Sequence, residues 1–416
     1  MCFNKKNNMK NIITLLLILA FSICVFAQNS TKKYIEIENT TIIDELKYNL
    51  EKSENGTYSD LVSYYYNDTL FFVRTDFTSP KTIRMYAFDV KTNIYSYQDI
   101  DARNLINNFD DKAYSIDNFA INQDYLVITG HKGVINSQCL YVFRRRKGKE
   151  FVYGFEVPLN NRKFSNKIKF LPNGKLLGLK NYVFYGEKPE ESSSLSILNL
   201  ETKEVEKTIN LEFLLPLYTI RSPYNILAVN NNSIFFSQRG DYKISEYDFD
   251  LNLIGNIENK EIKWERMPQS ISDSIHNNSI FVRERIPFLL DNIDKYSCIH
   301  NIYSKGNKLF VFYNKKGSFK KIYYDIWTKE GGNWVIQKKG ISDNPKSIRY
   351  ANKQTLTGRS PDDNIYLIDE TKFLRLGLPF PDLGFYPKII LMQKAQKYFM
   401  NNDIPYAVEI IKFNDL

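Results

Sequence analysis

The stretch Leu195–Ile209, LSILNLETKEVEKTI, decides how the chain is read. Leu195, Ile197 and Leu198 lead into the polar turn Asn199-Leu200-Glu201-Thr202-Lys203, after which Val205, Lys207 and Ile209 alternate outward. Period-two alternation on both sides of turn residues marks a strand, a tight turn and a returning strand. The phrase recurs. Ile83–Val90 turns at Lys91-Thr92-Asn93 into Ile94–Ile100, and Cys139–Arg144 turns at Lys147-Gly148-Lys149 into Phe151–Val157.

Working outward, each hairpin is preceded by a second one, so the unit has four strands. The third unit adds Lys167–Phe170, a Pro172-Asn173-Gly174 turn and Lys175–Leu179. The fourth reads Ile226–Val229, Ser233–Gln238, Lys243–Phe249 and Leu253–Ile257. The fifth reads Cys298–Tyr303, Lys308–Tyr313, Lys320–Trp327 and Trp334–Lys338. A more degraded sixth holds Lys346–Tyr350, Thr355–Thr357, Asn364–Ile368 and Phe373–Leu376. Third-strand ends placed at Phe88, Phe143, Leu198, Tyr247, Tyr324 and Tyr366 lie 55, 55, 49, 77 and 42 residues apart. Four short antiparallel strands per ~40–50 residues is the period of a β-propeller blade. The expected fold is therefore all-β, a propeller of six blades with seven as the alternative.

The long gap implies an insertion near 261–296, where Pro268 and Pro287 break the alternation. A four-stranded meander hides its faces only when neighbours stack on it, and the 29 Tyr and 29 Phe suit the space between twisted sheets. Closing the ring requires the chain ends to share a blade, and Tyr34–Glu38 is the strand available for that. Ile42–Lys52 reads as a helical turn or a connector. Near 387–401, after Pro387, Leu391, Ala395, Tyr398 and Phe399 recur at helical spacing, giving a short C-terminal helix before a final strand at Tyr406–Phe413.

Residues 1–27 read as a secretory signal peptide. Lys5, Lys6 and Lys10 precede the apolar run Ile12–Phe26, and Val25-Phe26-Ala27 offers a cleavage site. The run falls short of the ~20 residues a spanning helix needs, so the mature chain, a single domain over 28–416, carries no transmembrane helix. Cys24 raises lipid anchoring as the lesser alternative, since Phe21-Ser22-Ile23 lacks the small residue expected before a lipidated cysteine. Export to the periplasm or cell surface, with a diffuse net charge of +9 that includes the three leader lysines, argues against a nucleic-acid partner. Cys139 and Cys298 remain in the mature chain. The repeat puts them in opposite blades, beyond the ~7 Å a disulfide tolerates, so they read as two small buried side chains.

The leader, the turns Phe88-Asp89-Val90-Lys91-Thr92 and Leu198-Asn199-Leu200-Glu201-Thr202, and the Pro172-Asn173-Gly174-Lys175 turn resemble those of exported bacterial six-bladed propellers of the TolB-like or NHL-like kind. The likeness spans roughly residues 60–380 and departs from better-defined members in its few glycines, 18 in all. It implies a scaffold or a sugar-active protein, and bears on architecture more than activity.

Chemical motifs are sparse. His131, His276 and His300 show no metal-ligand spacing, so neither a metal nor a cofactor is expected. Asp110-Asp111, Glu190-Glu191 and Asp362-Asp363 read as solvated loops, and Arg144-Arg145-Arg146-Lys147 as a solvated turn with an anionic glycan or lipid headgroup as the alternative contact. Loops from one blade's last strand to the next blade's first converge with second-to-third-strand loops on one face, around the funnel. They carry Arg103, Arg162, Tyr182, Tyr185, Tyr218, Arg221, Tyr224, Trp264 and Arg266, side chains suited to stacking on a sugar or clamping a carboxylate. The expectation is a monomeric binding or scaffold module for a glycan or a protein, with a polysaccharide lyase or glycoside hydrolase using the same funnel as the rival.

Overall fold

The computed structural model describes residues 35–48, 61–74, 82–103, 114–132, 138–146, 150–158, 167–181, 193–211, 226–238, 240–268, 270, 295–317, 322–342, 365–377 and 404–413. Its first strand, β1 (Ile35–Tyr48), is followed by six sets of strands. Blade 1 holds β2 (Leu61–Tyr66), β3 (Thr69–Arg74), β4 (Thr82–Asp89) and β5 (Ile94–Asp101). Blade 2 holds β6 (Tyr114–Ile121), β7 (Tyr125–Lys132), β8 (Gln138–Arg146) and β9 (Glu150–Pro158). Blade 3 holds β10 (Lys167–Phe170), β11 (Leu176–Asn181), β12 (Ser193–Asn199) and β13 (Glu204–Asn210). Blade 4 holds β14 (Leu227–Val229), β15 (Ile234–Ser237), β16 (Lys243–Tyr247) and β17 (Leu253–Glu258). Blade 5 holds β18 (Cys298–Lys305), β19 (Lys308–Asn314), β20 (Ile322–Glu330) and β21 (Asn333–Ser342). Blade 6 holds β22 (Ile365–Leu367), β23 (Lys372–Gly377) and β24 (Ile404–Phe413), and its fourth strand is β1.

The six four-stranded antiparallel sheets form a six-bladed propeller. Closure runs through β1, which pairs with β24 from Ile35↔Phe413 to Tyr48↔Ile404. The strand is longer than the alternation in Tyr34–Glu38 suggests, and Ile42–Tyr48 is strand rather than helical turn or connector. Two register shifts, at Ile37/Asn39 and Ile43/Lys47, hide its period. Sharing the last blade also moves the sixth unit's parts: Tyr366 lies on the innermost strand, and β24 rather than 364–368 is the third. Lys346–Tyr350, Thr355–Thr357, the leader, most of the insertion and the expected C-terminal helix lie outside the described residues.

The apolar faces meet between blades. Leu195 and Ile197 of the opening stretch pack with Phe236 of blade 4, while Leu198 points the other way onto Val127 and Val142 of blade 2. Both faces of β12 are thus buried, whereas its outer neighbour β13 is largely exposed. Equivalent cores join each remaining pair of neighbours, the ring closing where Phe72 and Phe88 of blade 1 meet Leu374, Val408 and Ile43 of blade 6. Each fully buried Phe contributes about 2–3 kcal/mol, and none of it exists for a blade alone.

One irregularity repeats. Register shifts at Val142/Phe143, Ile197/Leu198, Glu246/Tyr247 and Ile326/Trp327 leave Gly154, Glu206, Ile254 and Gln337 as the extra outer-strand residue of four blades. Such bulges steepen the twist of the outer strand. They also show that the fifth third-strand end is Trp327, three positions past Tyr324.

The seam between blades 4 and 5 differs from the others in its polar content. Asp325 of β20 is fully buried and accepts from Tyr242 Oη (2.6 Å), Asn259 Nδ2 (2.8 Å) and Tyr313 Oη (3.1 Å). Glu246 of β16, equally hidden, accepts from Ser233 Oγ (2.6 Å), Lys329 Nζ (2.7 Å) and Trp334 Nε1 (2.8 Å). Burial pushes the Glu246 carboxyl up, but the bonds from Lys329, Ser233 and Trp334 outweigh it and hold the group below its ordinary value. Burial first, then the Asp325 charge, drives the Tyr242 and Tyr313 hydroxyls well above theirs. All three tryptophans of the chain, Trp264, Trp327 and Trp334, stand at this seam. Cys139 in blade 2 and Cys298 in blade 5 are both free thiols.

Candidate functional site

Because successive strands reverse, first-to-second and third-to-fourth connections emerge on one face of the ring, and all others on the opposite face. The connections on the first face are built by a shared device. Asn122 Oδ1 accepts from the amides of Asp124 and Tyr125, Asn230 Oδ1 from those of Asn232 and Ser233, and Asp369 Oδ1 from that of Thr371. The third-to-fourth turns repeat it with Asp89, Asn199 and Asp248. A short Asx side chain stands in for a backbone carbonyl, which is why these residues open the turns. Asn67 and Asp68 instead both take positive φ (49° and 58°), the two-residue hairpin geometry that Asn and Asp tolerate.

A cavity of about 860 Å³ opens among the first-to-second-strand turns, at the ends of the six inner strands. Its wall includes Tyr64, Tyr65, Tyr66, Tyr303 and Tyr366, the amides Asn67, Asn118, Asn122, Gln123, Asn230 and Asn231, and Lys167, Lys169 and Lys305. Asp124, Asp369 and Glu370 stand at its rim.

Side chains reaching between blades hold the wall in place. Tyr64 of blade 1 passes to blade 3, where its hydroxyl accepts from the Phe170 amide at 3.1 Å; burial pushes that hydroxyl up to about 12. Tyr366 of blade 6 donates to the Ser63 carbonyl at 2.6 Å, which leaves its oxygen to accept from Ser63 Oγ at 3.0 Å. Lys169 Nζ donates to the Leu227 carbonyl at 3.3 Å. At the lip, the Asn230 amide donates to Ser304 Oγ and the Gly306 carbonyl of blade 5, both at 3.0 Å. Inner strands lack a partner on their channel side, and these contacts supply one for several backbone groups.

The rim carboxylates are largely committed to the fold. Asp369 caps its own turn, also accepting from Thr371 Oγ1, and Glu370 pairs with Lys308 at 2.5 Å. Asp68, beside the lip, accepts from Tyr65 Oη at 3.0 Å and pairs with Lys91 at 2.7 Å; the Lys91 and Tyr65 bonds hold its carboxyl below the ordinary value. Exposed at the lip are Asn67, Gln123, Asp124, Asn231 and Lys305. A wall of amides, tyrosine rings and few charges suits a polyol, whose hydroxyl pairs match amide donors and acceptors and whose ring faces stack on aromatic ones.

Of the loop residues singled out from sequence, Arg103, Trp264 and Arg266 are described, and they belong to the opposite face. Arg162, Tyr182, Tyr185, Tyr218, Arg221 and Tyr224 lie outside the described residues. Arg103 is exposed at the end of blade 1 and forms a forked pair with Asp101, whose carboxyl it holds at about 2. Trp264 and Arg266 are brought together above blade 4. The Trp264 indole packs edge-on to Tyr242 at 5.7 Å and donates to the Gly240 carbonyl at 2.8 Å, while Arg266 pairs with Asp241. Glu265 and Ser297 bond to each other in both directions across the base of the insertion. Arg144 and Arg145 finish β8 rather than a turn, stacked over Phe155 and Phe151 at 5.6 and 4.7 Å. The acidic pairs 110–111, 190–191 and 362–363 lie outside the described residues, as does His276; His300 is buried on β18.

Among the described residues no helix is long and apolar enough to cross a membrane. No protein-family model matches the chain. No curated protein matches it either. Solved structures do. A protein of Bacteroides fragilis provisionally assigned as exported is 12% identical, the match covering 92% of this chain and 97% of that one with a TM-score of 0.48. A DUF4221 family member from Bacteroides vulgatus is 9% identical over 92% of this chain and 100% of that one, with a TM-score of 0.44. A luciferin-regenerating enzyme is 12% identical over 90% and 96%, with a TM-score of 0.40. These identities are too low to carry any residue's role across.

Proposed function

We propose that the chain is an exported, monomeric binding module that holds a neutral glycan in its funnel. The observation that carries this reading is the cavity wall, where tyrosine rings from blades 5, 6 and 1 share one mouth with asparagine amides from blades 1, 2 and 4. Its lysines and rim acids are balanced in number, which suits an uncharged sugar better than a uronate. Export rests on the leader in residues 1–27. Capture without turnover is favoured over hydrolysis because Asp369 and Glu370 are engaged in a turn cap and an ion pair.

The test is a glycan array followed by calorimetry with the mature chain. Retention of a neutral oligosaccharide that stays intact, weakened at least tenfold by Tyr65→Ala or Asn231→Ala, is expected. Release of reducing ends or unsaturated products would replace the reading with the lyase or hydrolase. Capture of a protein with no glycan retained would replace it with the scaffold.

A further inference from the structure

We propose that Glu246, which never touches the cavity, is a positioning residue for its lip, and that the lip is wired through it to Trp334. The inference rests on the funnel reading for its ligand, though not for its geometry. The Asn230–Ser233 turn carries two of the cavity's amides, Asn230 and Asn231. It is closed by the Asn230 cap and by the Asn230 backbone N–H donating to the Ser233 carbonyl at 3.1 Å.

Ser233 is where that turn meets the seam. Its hydroxyl, only 3% exposed with the rest of the side chain, donates to Glu246 Oε1, which also takes Lys329 Nζ. The other oxygen takes Trp334 Nε1, whose ring stands edge-on to Phe235 at 5.5 Å. The turn is therefore fixed to blade 5 twice, at its tip through Asn230 to Ser304 and Gly306, and at its base through Glu246. A ligand that loads Asn230 or Asn231 pulls on the same turn, and the pull passes through two charge-assisted bonds to an indole. None of the other first-to-second-strand turns described ends on a buried carboxylate.

The experiment compares wild type, Ser233→Ala, Glu246→Gln and Asn231→Ala as full mature chains. Ser233→Ala leaves the Glu246–Lys329 pair intact, so it keeps the question open should Glu246→Gln fold poorly. In the free protein, the amides of Asn232 and Ser233 are expected to exchange with solvent at least tenfold faster in Ser233→Ala and Glu246→Gln. The matching amides of Asp124 and Tyr125 in blade 2 should be unchanged, which a general loss of stability would not produce. With a panel of neutral hexasaccharides, the same two variants should weaken binding at least fivefold and abolish the ligand-induced shift in tryptophan emission.

Equal exchange at Asn232 and Ser233 in wild type and both variants overturns the proposal, whatever binds. Wild-type affinity in both variants, with binding weakened by Asn231→Ala, overturns it while leaving the glycan site standing. If wild type retains no hexasaccharide, the glycan reading fails, and exchange alone decides for or against Glu246.

Discussion

Glu246 and Asp325 are reciprocal across the seam between blades 4 and 5. Each is a buried carboxylate that takes two donors from the facing blade and one from its own: Lys329, Trp334 and Ser233 for Glu246, Tyr242, Asn259 and Tyr313 for Asp325. A buried carboxylate without donors is costly, so each is stable only while the two blades stay in register.

Asp325→Ala removes the shared acceptor and strands the Tyr242 and Tyr313 hydroxyls and the Asn259 amide inside the seam. A loss of about 3–5 kcal/mol is expected. Denaturant titration followed by tryptophan emission measures it directly, since all three indoles sit there; a loss below 1 kcal/mol would mean the cluster contributes little.

Acid should act on the seam through Glu246. Its folded pKa lies below the unfolded value of about 4.5, so its stabilisation is complete above that value and drains away as pH falls through the folded pKa. Urea midpoints between pH 7 and pH 3 should therefore drop on the acid side, and Glu246→Gln should flatten that part of the curve. An identical acid slope in the variant would assign the effect to other carboxylates.

Gly340 is required by shape. It faces Tyr324 across β20 and β21, and a methyl group there would fall inside the buried tyrosine ring. Gly340→Ala is expected to cost about 1–3 kcal/mol as the ring is forced off its site, read as a lowered thermal midpoint. Gly255, whose Cβ position is open, is the control substitution and should change little.

Ile43 tests the closure. It is fully buried among Leu70, Phe88 and Val408, the junction of the first and last blades. Ile43→Ala should cost about 2–4 kcal/mol, with limited proteolysis cutting first near β1. Cleavage that begins elsewhere in the ring would show that the junction is not its weakest point.

Much of the architecture was legible because the hairpins alternate cleanly: LSILNLETKEVEKTI is a strand, an Asx-capped turn and a strand, as its pattern predicts. The bulges at Gly154, Glu206, Ile254 and Gln337 were not, since one extra residue reads as noise in a period of two. They displaced the fifth third-strand end onto Trp327, and the closing strand displaced the sixth. The described cavity was missed for another reason: its asparagines come from separate blades, and their shared position around one mouth only emerges from the ring. The signal lay in Tyr64-Tyr65-Tyr66. Successive strand side chains point to opposite faces, and these three polar rings, at the end of an innermost strand, pack against the cores on both sides of blade 1 while also lining the cavity.

The pairing of Ile35 with Phe413 sets an order of events. Among the described strands β1 is synthesised first and waits for β24, one of the last, so every partial chain leaves bare the edge that β24 covers in the finished ring. Assembly of such distant partners is slow, and the waiting chain is open to proteases and to strand exchange with its neighbours. Loss of the final ten or so residues would thus disable the molecule as surely as loss of its first strand, leaving a broken circle rather than a slightly shorter one.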